Sequence, residues 1–187
     1  MSTPLRLLSW AVLGTVVGTS LDALHVVTGV LSYAHPTLGV QAWWVPLLFA
    51  GAGLALGEGH HQVASRLAGR KLPPASTAEM IRGLLFLVGV YGSSGFIQAW
   101  PYPALALYVV LFAVAVLLTP GDARPALMLH AAGAALLGPV VESTISSTGA
   151  FWYNHPDLFN VTVWLPGIYL HTAVASAAWD RWLPSRT

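Results

Sequence analysis

The chain of 187 residues is 56% hydrophobic and 8% charged, with a net charge of +1 and a mean hydropathy of +0.67. A soluble domain carries about 25% charged residues, so this composition excludes a water-soluble fold and leaves no basic arm to neutralise nucleic-acid phosphates. The absence of cysteine removes disulfides, thiolate nucleophiles and Cys-ligated zinc.

A bilayer core about 30 Å thick takes roughly 20 apolar helical residues to cross. Cutting the apolar stretches at charges, prolines and polar clusters predicts six spans, in chain order Leu5–Val30, Trp43–Ala64, Met80–Gln98, Tyr102–Thr119, Pro125–Thr148 and Val161–Trp182. The first exceeds the roughly 7–15 apolar residues of a secretory signal and no small-x-small cleavage site follows it, so it reads as a retained helix. The expectation is one all-α transmembrane domain over residues 1–187. With six spans, Arg6, Arg66, Arg70, Lys71, Arg82, Arg124, Arg181 and Arg186 fall on one side. Positive charges mark the cytoplasmic side, which predicts that both termini are cytoplasmic. Trp43, Trp44, Trp100, Trp152 and Trp164 gather at the opposite boundary in the manner of an interfacial aromatic belt.

A shift of 120 positions brings Tyr33-Ala34-His35-Pro36-Thr37-Leu38 onto Tyr153-Asn154-His155-Pro156-Asp157-Leu158, and Trp44-Val45-Pro46 onto Trp164-Leu165-Pro166. Upstream, Gly29 meets Gly149, Thr28 meets Thr148 and Asp22 meets Glu142 without a gap. The first and third helical hairpins therefore read as copies of one unit. An even number of spans separates them, so they share an orientation and any pseudo-symmetry axis runs along the membrane normal.

Ionisable groups inside a membrane cost roughly 2.5–3.5 kcal/mol each at a helix centre, so each needs an account. At 1.5 Å per residue, Asp22 and Glu142 lie about 20–25 Å from the basic end of their helices, and His171 is on the order of 15 Å in from the other surface. His25 follows Asp22 at the i, i+3 spacing. One reading makes Asp22, His25, Glu142, Ser143 and His171 the polar wall of a lipid-binding cavity. The other has these groups bond to one another or to loop backbone and lock the duplicated hairpins together. A third makes Asp22 or Glu142 the proton donor of a small membrane isomerase or cyclase acting on an isoprenoid or sterol. Glu58-Gly59-His60-His61 has metal-ligating residue types, but adjacent histidines diverge on a helix and no His-x-x-x-His pair is present. No metal or other cofactor is expected. The Ser93-Ser94 and Ser143–Thr148 clusters lack a Gly-x-Ser-x-Gly elbow or a base, so no nucleophilic residue is expected either. Gly89, Gly92 and Gly95 give the third span a small-residue surface, and the third and fourth helices are the candidates for contact between copies in a homo-oligomer.

Trp43-Trp44-Val45-Pro46 followed by Gly51-Ala52-Gly53-Leu54-Ala55-Leu56-Gly57, Val88-Gly89-Val90, and Gly149 to Leu158 with Trp164-Leu165-Pro166 resemble the insulin-induced gene (Insig) family from about residue 40 to 182. The resemblance implies a six-helix, non-enzymatic membrane protein that holds a sterol between its helices and, in the endoplasmic reticulum of animals, retains the escort protein Scap. The family's partner-contact aspartate falls on Asp157. Its lipid-contacting glutamine falls on Ser143, a shorter hydrogen-bonding side chain. Arginine outnumbers lysine seven to one and alanine and glycine abound, which points to a prokaryotic inner membrane, where a Scap-like partner is not expected. The expected function is binding or sensing of a neutral amphipathic lipid, diacylglycerol or a sterol.

Overall fold

The computed structural model describes residues 3–68 and 72–183; Arg70, Lys71 and Arg186 lie outside them. Six helices occupy the six apolar stretches. They are α1 (Thr3–Val27), α2 (Val45–Ala68), α3 (Thr77–Ile97), α4 (Pro101–Leu117), α5 (Arg124–Ser147) and α6 (Leu165–Trp182). Two three-residue strands, β1 (Leu31–Tyr33) and β2 (Phe151–Tyr153), follow α1 and α5. A proline in the first two positions opens α4, α5 and α6, where its missing N–H costs nothing. A capping box opens α3: Ser76 Oγ accepts from the Glu79 N–H, and the Ser76 N–H donates back to the Glu79 carboxylate. Gly29 and Gly149, at φ +73° and +77°, end α1 and α5 in the left-handed conformation that glycine adopts without strain.

The strands were not anticipated, and they establish the relation between the two copies. β1 and β2 pair antiparallel, Leu31 opposite Tyr153, Ser32 opposite Trp152 and Tyr33 opposite Phe151. Under the 120-residue shift the first and third of these pairs are images of each other and the middle one maps onto itself. The flanking bonds Ala34 N–H to Ala150 O and Asn154 N–H to Val30 O are images in the same way. A pseudo-twofold axis therefore passes between Ser32 and Trp152. Both copies also carry a helix irregularity at one level. A π-turn occupies Gly14–Gly18 in α1, and α5 carries Pro139 inside it, at the counterpart of Thr19. Each irregularity lies just before the acid of its copy.

α6 is the innermost helix. It packs on α2, α3, α4 and α5 and buries ten residues, among them Leu165, Ile168, His171 and Ser176. α1 and α2 cross where their backbones nearly touch: a Cβ on Gly14 would lie 2.2 Å from Phe49 O, and one on Gly53 would lie 2.4 Å from Trp10 O. The Trp10 indole fills the space that Gly57 leaves open.

Three helical segments, Thr3–Val27, Thr77–Ile97 and Gly121–Ser147, are long and apolar enough to cross a membrane, and α4 is apolar but shorter. α2 and α6 are less apolar because their turns at the basic end carry Glu58, His60, His61 and Gln62, and Asp180 and Arg181. One expectation is corrected. Trp164 is not in an aromatic belt but fully buried, with its ring edge-on to His25 and Tyr153, and Trp44 packs against the same core. Trp43, Trp100 and Trp152 do face outward. Arg6, Arg82, Arg124 and Arg181 meet Glu58, Leu118 O, Thr119 O and Glu79 respectively, all at the end away from the strands. These two ends are called the basic end and the strand end below.

Candidate functional site

Asp22 and Glu142 occupy the same position in the two copies, and each accepts a hydrogen bond from the tyrosine eleven residues on. Tyr33 Oη donates to Asp22 at 2.8 Å, and Tyr153 Oη donates to Glu142. Burial, reinforced by the facing carboxylate, pushes both phenols above their ordinary range, so each stays protonated and remains the donor. The second partners differ. Asp22 takes the Gln41 side-chain N–H at 2.6 Å, and Gln41 donates also to Thr19 O at 3.0 Å. Val161, at the matching position, has no such group. Glu142 takes the Tyr169 hydroxyl at 2.6 Å instead, where the first copy has Phe49.

Beside Glu142 is a cavity of about 100 Å³, similar in scale to the engineered lysozyme cavity that admits benzene. Trp10, Leu13, Val17 and Leu21 of α1 wall it, with Leu84, Leu87 and Tyr91 of α3. Besides Gly14 and Gly18 of α1 and Glu142 of α5, the remaining wall comes from α2 and α6, and it includes three pairs related by the duplication: Phe49 and Tyr169, Ala52 and Thr172, Leu56 and Ser176. The cavity thus lies on the pseudo-twofold axis. Its two sides are chemically unequal, since α6 presents a hydroxyl at each position where α2 presents a hydrocarbon. Tyr169, Thr172 and Ser176 follow helical spacing and so line one stripe.

The same stripe continues to the basic end, where His60 and Asp180, again 120 residues apart, meet with Nδ1 2.8 Å from the carboxylate. Arg6 pairs with Glu58 and lies 3.5 Å from Asp180. His130 Nε2 is 2.9 Å from Ser176 Oγ, and its ring stands edge-on to His60. This buried polar cluster closes the axis beneath the cavity and joins α1, α2, α5 and α6.

Of the residues singled out from sequence, Glu142 lines the cavity. Asp22 lies outside it, 5% exposed and held by Tyr33 and Gln41. His25 is buried behind it, with Nε2 2.6 Å from Ser94 Oγ and its ring stacked on the cavity-lining Tyr91. Ser143 points the other way and donates to Phe159 O at 2.6 Å. His171 turns toward α4, where Nε2–H donates to Tyr108 O at 2.9 Å between the rings of Phe86 and Phe112. Asp157 accepts the Val163 N–H at 2.9 Å within its own turn, a bond that Thr37 Oγ1 duplicates with the Trp43 N–H at 3.2 Å. Sequence reasoning missed Tyr169, Thr172 and Ser176, and also the His60–Asp180 pair. The signal was present, because the shift that aligns the two acids also sets Tyr169 opposite Phe49 and Asp180 opposite His60.

With duplicated hairpins joined by a strand pair around an axial cavity, and helices apolar enough to cross a membrane, the chain has the fold of the Insig homologues. It superposes on the crystal structure of MvINS, a mycobacterial Insig homologue from Mycobacterium vanbaalenii, with a TM-score of 0.75 and 27% identity, over 94% of this chain and 92% of that one. A cross-linked MvINS trimer matches over the same shares with a TM-score of 0.76 and 27% identity. No protein-family model and no curated protein sequence matches the chain.

Proposed function

We propose that the chain is a non-enzymatic membrane protein that binds or senses a neutral amphipathic lipid, diacylglycerol or a sterol, in the axial cavity. The observation that carries this reading is the pairing of an apolar cavity with a single carboxylate, Glu142, held by two tyrosine hydroxyls at one end. The carboxylate is a hydrogen-bond acceptor for a lipid hydroxyl and repels an anionic headgroup. At about 100 Å³ the cavity takes one segment of a chain or ring, so the bulk of the ligand extends from its mouth into the bilayer. Of the residues selected from sequence, Glu142 is proposed to meet the ligand directly and His25 to act through Tyr91. Asp22, Ser143 and His171 are proposed to support the bundle, and Asp157 the outer turn. All six helices are proposed to cross the inner membrane of a prokaryote with both termini cytoplasmic, and the trimeric neighbour supports homo-oligomerisation, for which the third and fourth helices are the proposed surface.

The test is native mass spectrometry of detergent-extracted protein with lipid analysis. A neutral lipid in stoichiometric amount, unchanged by incubation and lost in Glu142→Gln, is the expected result. Protein that carries no lipid, or that converts a polyene or sterol with turnover abolished in Glu142→Gln, overturns it, the latter in favour of the isomerase or cyclase reading.

A further inference from the structure

We propose that the paired outer turns of the two copies form a membrane-docking platform, sunk into the interfacial zone of the bilayer instead of standing above it in water. The platform comprises residues 28–44 and 148–164, and in these 34 positions the sole Asp, Glu, Lys or Arg is Asp157. Its outward side carries Leu38, Trp43, Trp152, Leu158 and Phe159, the last 76% exposed and Trp43 64% exposed. Tryptophan and phenylalanine presented this way favour the boundary between headgroups and acyl chains.

Backbone chemistry supports the same placement. Non-helical backbone enters a membrane only when its polar groups are paired, since each unpaired one costs several kcal/mol. Here β1 and β2 pair with each other, and Ala34 and Asn154 donate across the axis. Each outer turn closes on itself: the Thr37 and Leu38 N–H groups donate to Gln41 O, and the Asp157 and Leu158 N–H groups donate to Val161 O. The one charged group, Asp157, is occupied by the Val163 N–H.

Helix length adds an independent reason. α4 has 17 residues and α6 has 18, or about 26 Å and 27 Å, against a core of about 30 Å. α6 emerges directly from the second outer turn, so the missing few ångströms are supplied by that turn if it lies below the headgroup level, whereas α2, with 24 residues, draws no such length from the first turn. Phe159 shows what the position demands. Its φ of +47° is one that glycine holds freely, and its counterpart Gly39 has φ +60°. A bulky side chain in that conformation is a strained choice, compensated when the ring is withdrawn from water into lipid.

The absence of cysteine makes the test direct. Single variants Leu38→Cys and Phe159→Cys are spin-labelled in full-length protein reconstituted in phosphatidylcholine vesicles, with Asp122→Cys in the exposed turn at the basic end as the aqueous reference. Collision rates with oxygen and with a neutral nickel chelate are then compared. The expected result is chelate access reduced about tenfold relative to the Asp122→Cys label, as a partition cost of about 1.4 kcal/mol produces, with oxygen access raised. Chelate access equal to the reference overturns the proposal. So does low access to both reagents, which identifies the platform as a contact between copies. Two positions in different turns keep the result readable if Phe159→Cys perturbs its turn.

Discussion

The two copies of the hairpin hold their acids by the same tyrosine bond and then diverge. Asp22 is closed in by Gln41, a loop residue, and its carboxylate is directed at the strand platform. Glu142 is one methylene longer and takes its second bond from Tyr169 on the inner helix, which brings the carboxylate to the cavity. A duplicated structural element thus holds its acid in two different settings. One copy keeps the acid as a tie between helix and turn, while in the other a Phe-to-Tyr difference on the facing helix reorients it toward open space. The α2 and α6 stripes repeat that division along the cavity, with Ala52 matched by Thr172 and Leu56 by Ser176.

The largest effect that separates the copies is expected at the helix crossings. In the first copy Gly14 and Gly53 let α1 and α2 meet at backbone distance, whereas the matching residues of α5 and α6 are Ala134 and Ala173. Gly53→Leu should leave no folded protein after detergent extraction, and Gly53→Ala should cost about 1–3 kcal/mol through overpacking. Ala173→Gly should cost about 1 kcal/mol, from helix propensity. Thermal unfolding in detergent measures all three, and a Gly53→Ala variant as stable as the parent would show that the two crossings are equally loose.

Next come the acids. Asp22→Asn should lower stability by about 1–3 kcal/mol, since a buried acceptor of two hydrogen bonds becomes a poorer one, yet it should keep any bound lipid. Glu142→Gln should lose the lipid. Equal lipid loss in both variants would mean that the two copies act as one site.

Much of this was legible in the sequence, for a definite reason. Helix positions follow from hydrophobic runs, and the duplication follows from identity at a fixed offset, so the level of Asp22 and Glu142 along the bundle could be read without coordinates. Rotation about the helix axis could not. His171 and Tyr169 lie two residues apart at similar depth, yet one faces Tyr108 O and the other Glu142. His60 reads from sequence only as part of a cluster without metal-ligand spacing, because its partner Asp180 is at the far end of the chain. The strands escaped notice because three-residue segments that pair only with their own copy carry no period to detect.

Tyr169→Phe makes the second copy resemble the first at this position. Glu142 keeps the Tyr153 bond and loses the other, so a stability cost of about 1–1.5 kcal/mol is expected, together with weaker lipid retention than the parent. The reciprocal Phe49→Tyr offers a hydroxyl on the side of the cavity that lacks an acid and should not restore lipid binding when combined with Tyr169→Phe. Retention regained by that double variant, measured by lipid mass spectrometry, would show that either side of the axis serves.

The smallest effect concerns the outer turns, where the copies use different side chains for one bond. Thr37 and Asp157 each accept a backbone N–H six residues ahead. Removing either acceptor should cost about 0.5–1.5 kcal/mol, the net worth of one such bond, with Asp157→Ala at the upper end because a charged acceptor makes the stronger bond. Asp157→Asn keeps an oxygen acceptor and should recover most of the loss. If the aspartate instead serves a partner through its charge, Asp157→Asn would leave thermal stability intact while abolishing capture of that partner, and Thr37→Ala would have no such consequence. The pair of variants therefore distinguishes a turn that the duplication has kept from a contact that only one copy has gained.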